Sequence, residues 1–188
     1  MRQIVVRIPI KEILLGPPGL DKSALLRGAT RLVSNSRFLS SLNSSTTSQI
    51  GIVDKEDDRY MLRLGPIPRA AGRICAIDEM GRMRPEDQGK LLHALQEGMM
   101  PFVKYGFDLM LDGRATFIMA SNTKNPSGDF NDANKVSSDE IPIISQVMDR
   151  TGLVFVLRAN RTLGYSIDFG FKKLNIINNI NTDQRKLG

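Results

Sequence analysis

The sequence predicts an α/β fold in which a parallel sheet is sandwiched by helices. Three observations predict it. Short apolar runs at Ile13-Leu14-Leu15, Ile74–Ile77, Ala115–Ala120 and Leu153–Leu157 alternate with segments of helical periodicity. Uninterrupted apolar runs of strand length suit a sheet covered on both faces. A glycine- and proline-rich turn, Gly16-Pro17-Pro18-Gly19, leads from the first run towards a helix, and the second run ends in two acids, Asp78-Glu79.

The elements follow in order. Lys22 to Leu32 reads as a helix, with Leu25, Leu26, Ala29 and Leu32 at helical spacing. Ser34 to Ser48 is polar and reads as a loop or weak strand between helices. The charge cluster Asp54–Arg59 followed by Tyr60–Leu64 suggests an exposed hairpin. Pro85 to Glu97 reads as a helix, with proline in its first turn, Glu86 and Asp87 at its positive end, and Leu91, Leu92 and Leu95 along one face. Met99 to Leu111 reads as two strands around Lys104-Tyr105-Gly106, and Asn125 to Ser138 as a polar loop. The tail from Ala159 is basic and Asn-rich, and Lys172 to Ile180 has the pattern of a starting helix. The division is therefore 1–158 as the core and 159–188 as a tail that resembles the start of an incomplete helical lid.

Composition excludes several classes. The chain has 188 residues, 41% hydrophobic and 24% charged, ordinary for a globular domain. No apolar run reaches the roughly 18 residues that cross a bilayer, so no membrane role is expected, and Met1 to Pro9 has no secretory pattern. One cysteine, Cys75, and one histidine, His93, leave neither an internal disulfide nor a zinc finger. An intracellular, reducing compartment is expected. The net charge of +6 favours a polyanionic partner.

The chemistry starts at Gly16-Pro17-Pro18-Gly19-Leu20-Asp21-Lys22-Ser23, which follows a strand and opens a helix. In a phosphate-binding P-loop, backbone N–H groups and the helix N-terminus hold phosphate oxygens, the lysine reaches the β- and γ-phosphates, and the Ser hydroxyl ligates Mg²⁺. Asp21 stands where the last glycine of that pattern is expected, placing negative charge beside the phosphates. Asp78 would hold Mg²⁺ and Glu79 would polarise the attacking water. Asn122, after the third apolar run, is placed to orient that water. Arg150, before the fourth, is placed to reach a nucleotide on a neighbouring subunit. Lys104, between Phe102 and Tyr105 at a hairpin tip, suits a nucleic-acid backbone.

The order of these motifs resembles the AAA+ module of the minichromosome maintenance (MCM) replicative helicases. Gly16–Ser23, continuing to Ala24, looks like that family's Walker A, which tolerates a side chain at position 21. Arg69-Ala70-Ala71-Gly72-Arg73 through Glu79 is similar to its approach to Walker B, and Val103-Lys104-Tyr105-Gly106 to its presensor-1 hairpin. Leu111-Asp112-Gly113-Arg114 matches its Leu-Asn-Ala-Arg run. Ala120-Ser121-Asn122 resembles sensor 1, and Asp149-Arg150-Thr151 the arginine-finger segment. Departures are Asp21, Ser48-Gln49-Ile50-Gly51 in place of Gly-Leu-Thr-Ala, Leu95-Gln96-Glu97 in place of Met-Glu-Gln, and a short helix-2 insertion hairpin near Ile52 to Leu62.

The resemblance implies a P-loop NTPase fold with presensor-1 and helix-2 insertion hairpins, and ATP and Mg²⁺ as cofactors. It implies a hexameric ring with MCM subunits, single-stranded DNA in a central channel facing Lys104, and ATP hydrolysis coupled to unwinding. Its location would be the nucleus of a eukaryote, or the cytoplasm or nucleoid of a prokaryote. Two other readings stay open. One is a degenerate, non-hydrolysing scaffold that binds a helicase or DNA, and the other is an AAA+ relative with a non-DNA client.

Overall fold

The computed structural model describes residues 9–41, 46–124, 141–157 and 170–171. Its centre is a sheet of strands β1 (Lys11–Leu15), β2 (Arg37–Ser40), β5 (Ile74–Asp78), β8 (Thr116–Ser121), β9 (Leu153–Val156) and β10 (Gly170–Phe171). The spatial order is β10-β9-β1-β8-β5-β2. All neighbours pair parallel except β10, which runs antiparallel to β9. The parallel sheet and the P-loop NTPase architecture expected from the sequence are present.

Successive strand residues point to opposite faces, and both faces are covered. On one, Ile13, Leu15, Cys75, Ile77, Phe117 and Met119 form a core with Leu91 and Leu95 of helix α4 (Pro85–Gln96) and Val147 of α5 (Ser145–Asp149). On the other, Leu14, Ala76, Ala120 and Leu157 pack against Leu26 of helix α1 (Lys22–Leu32). Of the uncertain stretch Ser34 to Ser48, four residues form the edge strand β2, paired in register with β5. Helices α2 (Thr46–Ile50) and α3 (Pro66–Arg69) are additions, each too short for a periodic pattern.

Two antiparallel hairpins stand apart from the sheet. β3 (Gly51–Glu56) pairs with β4 (Arg59–Leu64), and β6 (Met99–Lys104) with β7 (Phe107–Asp112). The first is the hairpin expected from the charge cluster and Tyr60–Leu64: Asp54–Glu56 belong to β3, and Asp57-Asp58 form the turn. Both turn residues have positive φ, 45° and 58°, as do Tyr105 and Gly106 in the second turn, at 49° and 83°. Such paired values match the twist of two-residue hairpins. Of the tail, Gly170 and Phe171 add a short strand. The helix expected at Lys172–Ile180 and the polar loop at Asn125–Ser138 lie outside the described residues.

Candidate nucleotide site

Strand register builds the site. Leu15 pairs with Ser121 and with Val156, Ile77 with Met119, and Ser40 with Asp78. The residues that leave these strands, Gly16, Asn122, Glu79 and Ser41, therefore emerge along one edge, the C-terminal edge of the parallel sheet. Open α/β sheets bind their ligands there. A cleft of about 390 Å³ opens at this edge, lined by Pro18 to Ala24, Asp78, Glu79 and Asn122, with Arg27 and Ser121 in addition. Gly16 and Pro17 are linked to the cleft through their carbonyls, which accept from Lys22 Nζ.

Gly16 is required by a close approach. A Cβ there would lie 2.7 Å from the Leu157 carbonyl oxygen. The Leu157 N–H donates to Leu15 at 2.7 Å, so this contact ties the loop to the neighbouring strand. Lys22 is buried, with 7% of its surface exposed, and its Nζ donates to the Gly16 carbonyl at 2.8 Å and the Pro17 carbonyl at 2.7 Å. Burial lowers its pKa and the Asp78 carboxylate opposes that shift. An ammonium held by two loop carbonyls can exchange them for phosphate oxygens at little cost, because one set of charge-assisted bonds replaces another.

Asp21 caps α1 from the left-handed region, at φ 50° and ψ 26°, and its side chain makes no capping bond. The sequence pattern asks for glycine here, and the backbone supplies the reason. Left-handed conformation costs most residues roughly 1–2 kcal/mol, although aspartate tolerates it better than most. Asp21 thus departs from the pattern in charge, while its backbone keeps a glycine-like conformation.

Asp78 is buried, and its Oδ1 accepts the Glu79 N–H at 2.9 Å. Glu79 itself has φ 55°, unusual for a long side chain. Its carbonyl accepts the Ser41 hydroxyl at 2.6 Å, and its carboxylate lies 3.7 Å from Arg82. A strained backbone held by a distant partner is a common mark of a functional position. Glu79 and Asn122 also line a second opening of about 410 Å³ beside Arg82, Thr123 and Pro142, so both residues face two spaces.

The donor set fits a nucleoside triphosphate with Mg²⁺. Ser23 offers a hydroxyl and Asp78 a carboxylate, the oxygen ligands that a hard cation accepts beside phosphates. Asp21 adds a third carboxylate to the lining, beyond the two acids that the metal and the attacking water would use.

Two expected residues lie elsewhere. Arg150 follows α5 and precedes β9, whose first residue pairs with Glu12 near the start of β1. It therefore sits at the opposite, N-terminal edge of the sheet, close enough to Lys11 to help burial lower that lysine's pKa. Its Nε donates to Gln96 Oε1 at 2.9 Å and a terminal nitrogen donates to the Gln146 carbonyl at 3.0 Å. Arg150 is not among the residues that line the nucleotide cleft of its own chain. Lys104 stands exposed at the end of β6, remote from the cleft lining.

Sequence reasoning missed two contributors to the cleft. Ser41 holds the Glu79 peptide from 38 positions away, and no local pattern signals such a pairing. Arg27 lines the cleft with its guanidinium 4.1 Å over the Phe38 ring. Its position one turn after Ser23 on α1 was the available signal.

Comparison with known proteins gives the family of the chain. A family described as "MCM P-loop domain" matches residues 1–164. The chain is similar to DNA replication licensing factor MCM5 of Arabidopsis thaliana, 27% identical over 157 residues, covering 82% of this chain and 21% of that protein. It is 29% identical over 145 residues to a probable DNA helicase MCM9 of Oryza sativa subsp. indica, covering 77% and 21%. It is 28% identical over 155 residues to the minichromosome maintenance protein MCM of Saccharolobus solfataricus, covering 81% and 22%. The chain thus spans about a fifth of the length of these relatives.

Proposed function

Because the chain belongs to the MCM P-loop domain family, we propose that it is the ATP-binding module of an MCM-like DNA helicase, working in a ring with other subunits. The observation that carries this reading is the convergence of the P-loop, Asp78, Glu79 and Asn122 on one cleft at the sheet's C-terminal edge.

The roles follow from position. The loop's backbone N–H groups and the start of α1 hold phosphate oxygens. Lys22 exchanges the Gly16 and Pro17 carbonyls for β- and γ-phosphate oxygens. Ser23 and Asp78 hold Mg²⁺, which when bound neutralises charge on the phosphates. Glu79 accepts a proton from the attacking water at its carboxylate, and Asn122 orients that water by hydrogen bonding. Arg150, at the far edge of the sheet, supplies its positive charge to the nucleotide of the next subunit. Lys104 faces a DNA strand. Such a partner places the protein with the genome, in the nucleus or nucleoid.

Asp21 favours one alternative, a scaffold that binds a helicase or DNA without turning over ATP. Titration calorimetry with Mg-ATP tests the lead reading. Wild-type protein is expected to bind, and Lys22→Ala to weaken binding by roughly 100-fold, the loss of a charge-assisted contact of about 2–3 kcal/mol. Binding unaffected by Lys22→Ala would overturn the assignment of the cleft. An absence of binding by folded wild-type protein would favour the scaffold.

A further inference from the structure

The two hairpins meet twice. Near their roots, a Cβ on Gly51 would lie 3.1 Å from Leu62 and 3.3 Å from Phe102, so β3–β4 lies directly against β6. Near their tips, Tyr60 of β4 stacks on Tyr105, with ring centroids 5.3 Å apart and planes 20° from parallel. The second contact is not buried, since Tyr60 is 48% exposed and Tyr105 60%.

Tyr105 is also costly where it stands. It occupies the first position of a two-residue turn at φ 49°, followed by Gly106 at φ 83°. Turns of this kind favour asparagine or glycine there, and a bulky residue pays strain. A strained residue that buries little is a reason to look for a ligand. Lys104 Nζ lies 5.9 Å from the centroid of the Tyr105 ring. Two other basic groups on the hairpins are paired, Lys55 with Asp58 at 2.7 Å and Arg63 with Asp54 at 2.9 Å. Across residues 51–64 and 99–112 six acids outnumber four bases, so an extended polyanion would gain nothing here from net charge and must be held by other contacts.

We propose that Tyr60 and Tyr105 form a nucleobase-stacking platform for single-stranded DNA, with Lys104 meeting the adjoining phosphate. The proposal rests on the DNA-binding reading above and goes further: the bases themselves are held, through their faces and without sequence preference. Every base has a π-face, so stacking tolerates sequence while still rewarding an unpaired strand. The two hairpins together supply the platform, because each contributes one ring.

Fluorescence anisotropy with the 188-residue chain tests this. The probes are a labelled oligo-dT of about 20 nucleotides, the length of a few stacking modules, and an abasic strand of equal length with the same phosphates. Wild-type protein is expected to bind oligo-dT roughly tenfold more tightly than the abasic strand, the scale of a single stacking contact. Tyr60→Ala and Tyr105→Ala should each remove most of that difference while leaving the abasic affinity unchanged. Tyr60→Phe and Tyr105→Phe keep the ring and should keep the difference. Circular dichroism melts establish that each variant is folded. Equal affinity for both strands, or folded Ala variants that bind oligo-dT as wild type does, would overturn the stacking proposal and leave the DNA reading intact. Wild-type protein that binds neither strand would overturn the DNA reading, and the platform with it.

Discussion

The cleft at the sheet edge and the paired hairpins each present a lysine beside a glycine-containing turn, and they treat it in opposite ways. Lys22 is buried, with its ammonium held by two carbonyls before any ligand arrives. Lys104 is exposed at a strand end, with an aromatic ring as its recorded neighbour. The cleft is organised by five parallel strands whose register brings its residues to one edge. The hairpins are organised by two turns and a ring stack. Burial pre-organises the first region and makes it intolerant of change. The second keeps its side chains free to meet a partner, and its local stability is correspondingly lower.

Substitutions and pH should separate the two regions, and the sheet side should show the largest effect. Cys75 is fully buried in β5, and burial pushes its thiol up to about 12 from 9.0. The folded chain therefore keeps a proton that the unfolded chain releases above about pH 9, so stability falls as pH rises from there towards 12. The expected slope is roughly 1.4 kcal/mol per pH unit across that window. Denaturant melts at stepped pH should show this decline in wild type and a flatter one in Cys75→Ala. An equal decline in both would place the alkaline sensitivity elsewhere.

Next in size is the contrast between two glycines. Gly16→Ala drives a Cβ against the Leu157 carbonyl oxygen, and overpacking of this kind costs about 1–3 kcal/mol. Gly106→Ala meets no atom within 4 Å and pays only for its positive φ, about 1 kcal/mol. Chemical denaturation of both variants measures the difference, and an equal loss would mean that the two regions are equally rigid.

The smallest effect concerns Asp21. Removing its charge by Asp21→Ala is expected to tighten Mg-ATP binding several-fold, the scale of one like-charge contact near a surface. Asp21→Gly removes the charge and also relieves the left-handed backbone, so it should gain stability that Asp21→Ala does not. Calorimetry and melts on the pair divide charge from conformation. No gain in affinity from either would clear Asp21 of any part in weakening the site.

Much of the sheet was legible in the chain. β1, β5, β8 and β9 each announce themselves as continuous apolar runs, because a strand covered on both faces has no polar side to show. Helix α1 was legible to the residue, from its leucine spacing and the Gly/Pro turn before it. The edge strand β2 was not, since Arg37-Phe38-Leu39-Ser40 has one buried residue and polar ends. Lys22, Ser23, Asp78, Glu79 and Asn122 could be picked out because each directly follows a strand or loop of recognisable type. The support that Ser41 gives to Glu79 could not, because it depends on how β2 registers against β5. The Tyr60–Tyr105 stack was equally hidden, since each hairpin reads separately along the chain.

By itself the sequence determined most of the element types, the phosphate-loop pattern and the departure at Asp21, because periodicity, turn residues and motif spacing are local properties. Tertiary structure alone decided three things. It put Arg150 on the edge opposite the cleft, gave Glu79 a strained backbone with a distant hydroxyl on its carbonyl, and brought two tyrosines from different hairpins into contact. Each of these depends on strand order and register, which arise from long-range pairing between segments that carry no local mark of one another.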